Sequence, residues 1–155
     1  MDAIDKEIVG LLLRDGRLTH EQISRQVGLS RPAVHDRIRR LESAGVVQGY
    51  TARVDWESLG LPVTAFVFVR VSGSCLPSAQ AIYDLSCETA VVERCDRVAG
   101  DWCLLVHTRS ASTHALQDLL DGIRSVPGVQ GTMTSIALST VVSDRALAPL
   151  AGSVR

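Results

Sequence analysis

Residues 18–45 read LTHEQISRQVGLSRPAVHDRIRRLESAG, a stretch that predicts two short helices joined by a tight turn. Thr19, followed three residues later by Gln22, has the spacing of a capping box and predicts the start of the first helix. Gly28 is expected to end that helix, and Ser30 can cap the second. The rest of the chain is interpreted outward from this helical pair.

The second helix of the pair has two unlike sides. At about 100° per residue, Val34, Ile38 and Leu41 form one apolar stripe, whereas residues 31–40 hold four arginines and one aspartate. This arrangement is typical of the helix-turn-helix, whose second helix lies in the DNA major groove. A solvated basic side on an ordinary helical hairpin is the alternative. The DNA contacts that we expect come from Thr19, Ser30, Arg31, Ala33, His35, Asp36, Arg37, Arg39 and Arg40, and which arginine meets a base and which a phosphate stays open.

Two further segments complete the first half of the chain. Ile4, Ile8, Leu11 and Leu12 repeat at helical spacing and predict a supporting helix, which makes residues 1–45 a three-helix domain. Its predicted core is Ile4, Ile8, Leu11, Leu12, Leu18, Ile23, Val27, Leu29, Val34, Ile38 and Leu41. Residues 46–62 are predicted to be a linker, in which the β-prone run 46–54 is an exposed strand that invites pairing with a second subunit.

From residue 63 the hydrophobic period changes from that of helices to that of strands. The order of elements predicts a β-α-β-β-α-β domain over residues 63–145, followed by a tail at 146–155, so the fold class is α+β with a ferredoxin-like second domain. The predicted strands are 63–71, 91–98, 102–108 and 129–142, and the predicted helices are 77–87 and 112–126. Phe66, Phe68, Leu105 and Val142 indicate that the sheet is apolar on both sides, so a second subunit is the simplest cover for the side without helices.

Composition limits the possible functions. The chain has 155 residues, 46% of them apolar, and a net charge of −1, with no apolar run long enough to span a membrane and no signal-peptide pattern at the start. We therefore expect a cytoplasmic protein without membrane partners. Residues 1–54 hold nine basic and seven acidic side chains, and a head so weakly charged should grip DNA only when several act together.

Neither metal nor catalytic chemistry is indicated. The four cysteines are spaced 12, 8 and 8 residues apart, which fits neither a zinc knuckle nor a CxxC motif, so we expect reduced, partly buried thiols. The four histidines form no close pair in sequence, and we expect no metal and no cofactor. No Ser/His/Asp, Cys/His or paired-carboxylate set is recognisable, so we expect no enzymatic activity.

The chain resembles the Lrp/AsnC family of feast/famine transcription regulators from about Ile4 to Asp144. The matching stretches are Ile4-Asp5-Lys6-Glu7-Ile8, Val27-Gly28-Leu29-Ser30, residues 34–42, Gly49-Tyr50-Thr51-Ala52, Val98-Ala99-Gly100-Asp101, and Pro127-Gly128-Val129 with Thr132 and Thr134. The resemblance implies a DNA-binding domain, a linking strand and an amino-acid-sensing domain that dimerises through its sheets, with dimers assembling into tetramers of dimers.

The resemblance also implies an effector site at the interface between dimers. Carried over by position, its residues are Val98, Ala99, Gly100, Asp101, Trp102, Gly131, Thr132, Met133, Thr134 and Ser135. The family often has an Asp-Tyr pair where this chain has Cys103-Leu104. Two outcomes stay open: a preference for an apolar or aromatic amino acid, or no effector at all. An enzyme on a dimeric ferredoxin-like sheet and a ligand-binding module with a vestigial head are the alternative functions.

Overall fold

The computed structural model describes residues 1–140. These residues divide into two compact units, 1–53 and 54–140, each with its own apolar core. Two predictions lie outside the described residues: the domain end at residue 145, and the tail.

The first unit contains three helices, as the sequence predicts. They are α1 (Ala3–Arg14), α2 (His20–Val27) and α3 (Arg31–Ser43). Thr19 and Gln22 form the expected capping box, and Gly28 ends α2 in the left-handed conformation at φ 66°. The Ser30 hydroxyl accepts a hydrogen bond from the Ala33 N–H and so caps α3. The turn chemistry of residues 18–45 therefore forms as predicted.

The core of this unit is also as predicted. Ile8, Ile23 and Val34 have no exposed surface, and Leu11, Ile38 and Leu41 are at most 5% exposed. The remaining five predicted residues are half-buried around them, and Val9 and Val47 join the cluster without having been predicted. Three aliphatic side chains thus fix which side of α3 faces inward.

The predicted strand at residues 46–54 is not present among the described residues. The N–H groups of Val46 and Val47 donate to the Leu41 carbonyl at the end of α3, so they are not available to a strand partner. Tyr50 donates a hydrogen bond to the Glu42 carboxylate, and its ring lies against Gly16. Partial burial, together with that carboxylate, raises the pKa of Tyr50. The segment packs along the helices instead of extending as a ladder.

The second unit is a ferredoxin-like β-α-β-β-α-β fold, which confirms the predicted order. Its four strands form one antiparallel sheet in the order β2-β3-β1-β4. No helix in the described chain has the length and apolar character needed to cross a bilayer. The strands are β1 (Val63–Val71), β2 (Ala90–Arg97), β3 (Leu104–Ser110) and β4 (Val129–Ala137), and the helices are α4 (Cys75–Tyr83) and α5 (Thr113–Ser125).

Several boundaries differ from the prediction. Helix α4 ends at Tyr83 rather than at residue 87, β3 ends at Ser110 rather than Thr108, and β4 ends at Ala137 rather than Val142. Two other differences concern where elements begin. Helix α4 begins at Cys75 rather than Pro77, because Pro77 is tolerated in a first turn and Gly73, at φ 75°, lets the chain turn just before the helix. Strand β3 begins two residues after Trp102, and the segment before it contacts Arg70 of β1.

The two sides of the sheet differ sharply. Helices α4 and α5 cover one side, where Val67, Val69 and Val106 have no exposed surface. The other side, called the open face below, carries alternate residues of the same strands, which are partly or fully exposed. Its apolar members are Phe66, Phe68, Leu105 and Met133, the last being 44% exposed.

Candidate functional site

The exposed side of α3 carries most of the predicted DNA-contacting residues. Arg31, His35, Asp36, Arg39 and Arg40 are exposed, and Ala33 is half-buried. Asp36, Arg39 and Arg40 line a shallow groove on this side. The opposite side of the helix is sealed in the core, so the helix cannot turn these groups inward without unpacking. An exposed helix side that carries three arginines is typical of helices that lie in the DNA major groove.

Arg37 does not share this outward position. Its Nη1 atom lies 2.6 Å from an oxygen of Asp2 and 2.6 Å from an oxygen of Asp5, both at the start of α1. The Arg37 guanidinium, with the Asp5 N–H, lowers the pKa of Asp2, while the Asp2 N–H and then Arg37 lower the pKa of Asp5. The two carboxylates raise the pKa of Arg37 in turn.

The guanidinium of Arg37 is thus engaged within the chain, and its contact with DNA stays a prediction. Arg37 follows Val34 by three residues and precedes Leu41 by four, so it borders the buried stripe and points toward the supporting helix. Asp5 lies in the first turn of that helix, 32 residues away along the chain, so spacing alone could not show which arginine it pairs with.

Two further predicted DNA contacts, Thr19 and His35, have partners within the chain. The Thr19 hydroxyl and N–H both bond Gln22, so this predicted DNA contact serves first as a helix cap. The His35 ring packs edge-on against His20, with ring centroids 5.1 Å apart. His20, which the sequence did not single out, thus contacts an exposed side chain of α3.

The predicted effector residues do not all share one surface. Residues 98–103 connect β2 to β3, and Ala99, Gly100 and Asp101 are exposed there. In β4, Thr132 pairs with Val69 and Thr134 with Val67. Cross-strand partners point to the same side of a sheet, so these two threonines face the helices, and the Thr132 hydroxyl accepts a hydrogen bond from Arg124.

The other three residues of that stretch lie on the open face. Gly131 pairs with Arg70, Met133 with Phe68 and Ser135 with Phe66. Arg70, which was not predicted, directly contacts the loop formed by residues 98–103. Its Nε atom donates to the Asp101 carbonyl at 3.1 Å, and its guanidinium carbon lies 5.0 Å from the centre of the Trp102 ring. Strand alternation beyond Phe66 and Phe68 was the available signal.

Residues 1–140 contain no grouping of side chains suited to a metal ion. Three or more His, Cys, Asp or Glu side chains do not gather there as a metal site would need. All four cysteines are free thiols, and Cys87 is the exposed one. The open-face residue His107 has a buried Nε2 atom without a hydrogen-bond partner, 3.5 Å from an oxygen of Asp96. Its ring packs edge-on against Phe66, so it is part of the apolar surface.

Sequence and structure comparisons agree on both units. Residues 1–48 match a winged helix-turn-helix DNA-binding profile, and residues 64–147 match the Lrp/AsnC ligand binding domain. The HTH-type transcriptional regulator LrpA of Mycobacterium tuberculosis is 41% identical, over 94% of this chain and 95% of that protein.

Two similar solved structures contain an amino acid. One is a feast or famine regulatory protein from M. tuberculosis complexed with L-methionine, with 39% identity and a TM-score of 0.84 over 93% of this chain and 96% of that one. The other is a transcriptional regulator from Neisseria meningitidis, also complexed with L-methionine, with 28% identity and a TM-score of 0.83 over 95% and 96%.

A helix-turn-helix unit followed by a ferredoxin-like ligand-binding domain defines a class of DNA-binding transcriptional regulators, and the relatives are named as regulators rather than enzymes. The chain belongs to the Lrp/AsnC family.

Proposed function

We propose that α3 enters the DNA major groove and that an amino acid, bound in the second unit of an assembled protein, changes the strength of that binding. The observation that carries the proposal is the division of α3 into a sealed apolar side and an exposed side bearing Arg31, Arg39 and Arg40. The proposed contacts are Ser30, Arg31, Ala33, His35, Asp36, Arg39 and Arg40. Arg37 and Thr19 are proposed to affect DNA binding only indirectly, because their contacts within the chain fix the positions of the helices.

The assembly is proposed to form through the open face. Phe66, Phe68 and Met133 adjoin one another on the open face and are at least partly exposed, and contiguous apolar patches mark interfaces. A second copy placed there by a twofold axis would cover both surfaces at once. Four such dimers, as the family resemblance implies, would bring eight heads to one stretch of DNA and offset the low charge of each.

The amino-acid effector is supported by the two relatives that hold L-methionine. We assign it to the loop 98–102 and the start of β4, at the interface between dimers. Cys103-Leu104 stands where the family often has a polar pair. On the open face Phe68 adjoins both Trp102 and Met133, so apolar amino acids are the preferred class. Such a ligand changes DNA binding only if it binds one assembly state better than another.

The test is a gel-shift with DNA from upstream of the protein's own coding region at two salt concentrations. Wild type should retard it, and Arg39→Ala/Arg40→Ala should bind more weakly and with a flatter salt dependence, by about 0.9 in slope for each phosphate that is no longer neutralised. Arg14→Ala, an exposed arginine at the end of α1, is the charge-matched control for each single substitution. Unchanged binding by the double variant would reject this placement of α3, and no retardation by wild type would favour a module with a vestigial head.

A further inference from the structure

Three segments meet at one end of the sheet. Strand β1 lies between β3 and β4, so its last residues are flanked by the loop that precedes β3 and by the start of β4. The Cys103 N–H donates to the Val69 carbonyl at 3.0 Å, which ties that loop to β1. Arg70 therefore stands between the two stretches assigned to the effector, residues 98–102 and 131–135.

The guanidinium of Arg70 is oriented but not saturated. The Asp101 carbonyl takes its Nε hydrogen, and the Trp102 ring lies beneath it. Within the described chain its two terminal nitrogens, Nη1 and Nη2, have no hydrogen-bond partner. A planar guanidinium with two N–H groups on one edge matches a carboxylate in a bidentate manner. The structure thus holds a cation in place with its binding edge available.

The surroundings of Arg70 suit a small zwitterion with an apolar side chain. Across the sheet, a Cβ atom at Gly131 would meet nothing within 4 Å, so there is open space beside Arg70. Phe68 and Trp102 lie next to each other on the same face, with ring centroids 6.3 Å apart. The Asp101 carboxylate is exposed and could receive an ammonium group.

The ten residues assigned by family resemblance contain no cation, and Asp101 is their one charged side chain. Two other arginines lie near this end of the sheet but are turned elsewhere. Arg97 pairs with the buried, helix-facing Leu104, and Arg124 is bonded to Asp121 and to the helix-facing Thr132. A carboxylate ligand at this end of the open face would therefore find Arg70.

We propose that Arg70 is the carboxylate-binding residue of the effector site, so that the effectors are small carboxylic acids with apolar side chains, α-amino acids foremost. The inference rests on the proposed effector function. It adds a residue outside the set that family resemblance supplies, and a stated role for it. Loss of a charged, bidentate hydrogen bond predicts a ten- to hundredfold weaker binding of the acid, as an order of magnitude.

The test is calorimetric titration of the full chain with L-methionine and with L-methioninamide, which lacks the carboxylate. Wild type should bind the acid more tightly than the amide, by about tenfold or more. Arg70→Met should lose that preference, and Arg70→Lys should keep part of it. Arg97→Met, which removes an arginine from the same end of the sheet but the other side, should behave as wild type.

The amide distinguishes recognition from a merely structural role. If Arg70→Met weakens both ligands equally, Arg70 only supports the loop and the inference is overturned. If it weakens neither, the carboxylate lies elsewhere and the inference is again overturned, although the effector function stands. If wild type binds none of L-methionine, L-leucine and L-phenylalanine at millimolar concentration, the effector part of the proposed function fails, and this inference fails with it.

Discussion

The two units of the chain bury their apolar side chains to different extents. In residues 1–53, the six aliphatic side chains at the centre are all at most 5% exposed, and half-buried neighbours surround them. In residues 54–140, one side of the sheet is equally well buried, but the open face leaves Phe66, Phe68 and Met133 in contact with solvent. The first unit therefore buries its apolar centre within one chain, whereas the second leaves one apolar surface partly exposed.

The difference also separates the tasks of the two units. The first unit has only two excess positive charges, so we expect it to bind DNA weakly alone. Its affinity should then depend on how many copies the proposed assembly holds together. Changes in the head should therefore alter DNA binding without altering assembly. Changes on the open face should alter assembly first and DNA binding as a consequence.

The largest effect is expected from a charge on the open face. Phe66→Asp would place a carboxylate in the apolar contact of both copies, and an uncompensated buried charge costs about 3–5 kcal/mol. The dimer should therefore dissociate at micromolar concentration, which light scattering would detect as a fall in mass to that of one chain, 16.7 kDa. DNA affinity should fall with it.

A matched control uses an exposed leucine on the helix-covered side. Leu76, in α4, is 75% exposed, and Leu76→Asp should leave the mass and the DNA affinity unchanged. If Phe66→Asp keeps the wild-type mass, or if wild type is itself a monomer, the open face is not the interface and the contrast between the two units loses its meaning.

The next effect should be confined to the first unit. Ile8 is fully buried, and truncation of a buried isoleucine to alanine costs about 2–5 kcal/mol. Because a three-helix unit of this size is only marginally stable, Ile8→Ala should unfold residues 1–53 in part and abolish DNA binding while the dimer persists. Thermal unfolding followed by circular dichroism, with mass measured in parallel, would test this.

Leu13→Ala is the control for that substitution. Leu13 lies on the same helix but is 49% exposed, so its truncation should change the unfolding temperature little. Loss of the dimer in Ile8→Ala would contradict the separation of tasks, since it would mean that the head contributes to the assembly.

Sequence patterns predicted the structure correctly wherever it depends on residues that lie close together along the chain. The cap at Thr19, the stop at Gly28 and the apolar stripe of Val34 and Ile38 are local signals, and the strand Val63–Val71 was predicted to the residue. Periodicity also indicated the ferredoxin-like order, because strand and helix periods alternate cleanly there.

Contacts between distant segments were the part that local patterns could not supply. Arg37 and Asp5 are 32 residues apart, and Arg70 and Asp101 are 31 apart, so neither pair can be read from spacing. The contacts of the linker are also between distant segments: Tyr50 contacts Gly16 and Glu42 in the helical unit, and the β-prone residues have no strand partner within the described chain. Two of the ten positions assigned to the effector, Thr132 and Thr134, face the helices and not the open face, because side chains alternate between the two sides of β4.

A smaller effect should distinguish two arginines of α3, Arg37 and Arg39. Arg37→Met removes the ion pairs to Asp2 and Asp5 and should weaken DNA binding by loosening the packing of α3 on α1. Because Arg37 is proposed not to meet phosphate, the slope of log affinity against log salt should stay as in wild type. Arg39→Ala should instead lower that slope by about 0.9. Gel-shifts over a salt series would measure both, and a reduced slope in Arg37→Met would restore Arg37 to the DNA contacts.

The smallest effect should be the acid dependence of the first unit's stability. The pKa values of Asp2 and Asp5 lie below 3.8 in the folded chain, so their ion pairs with Arg37 stabilise the fold above that pH. This contribution is lost as the pH falls through the lowered values. Wild type should therefore be more stable than Arg37→Met at pH 6, and the difference should shrink below about pH 4. Arg14→Met should differ from wild type by the same amount throughout. A gap between wild type and Arg37→Met that persists to pH 2 would mean that the side chain of Arg37 stabilises α3 by packing and not by its charge.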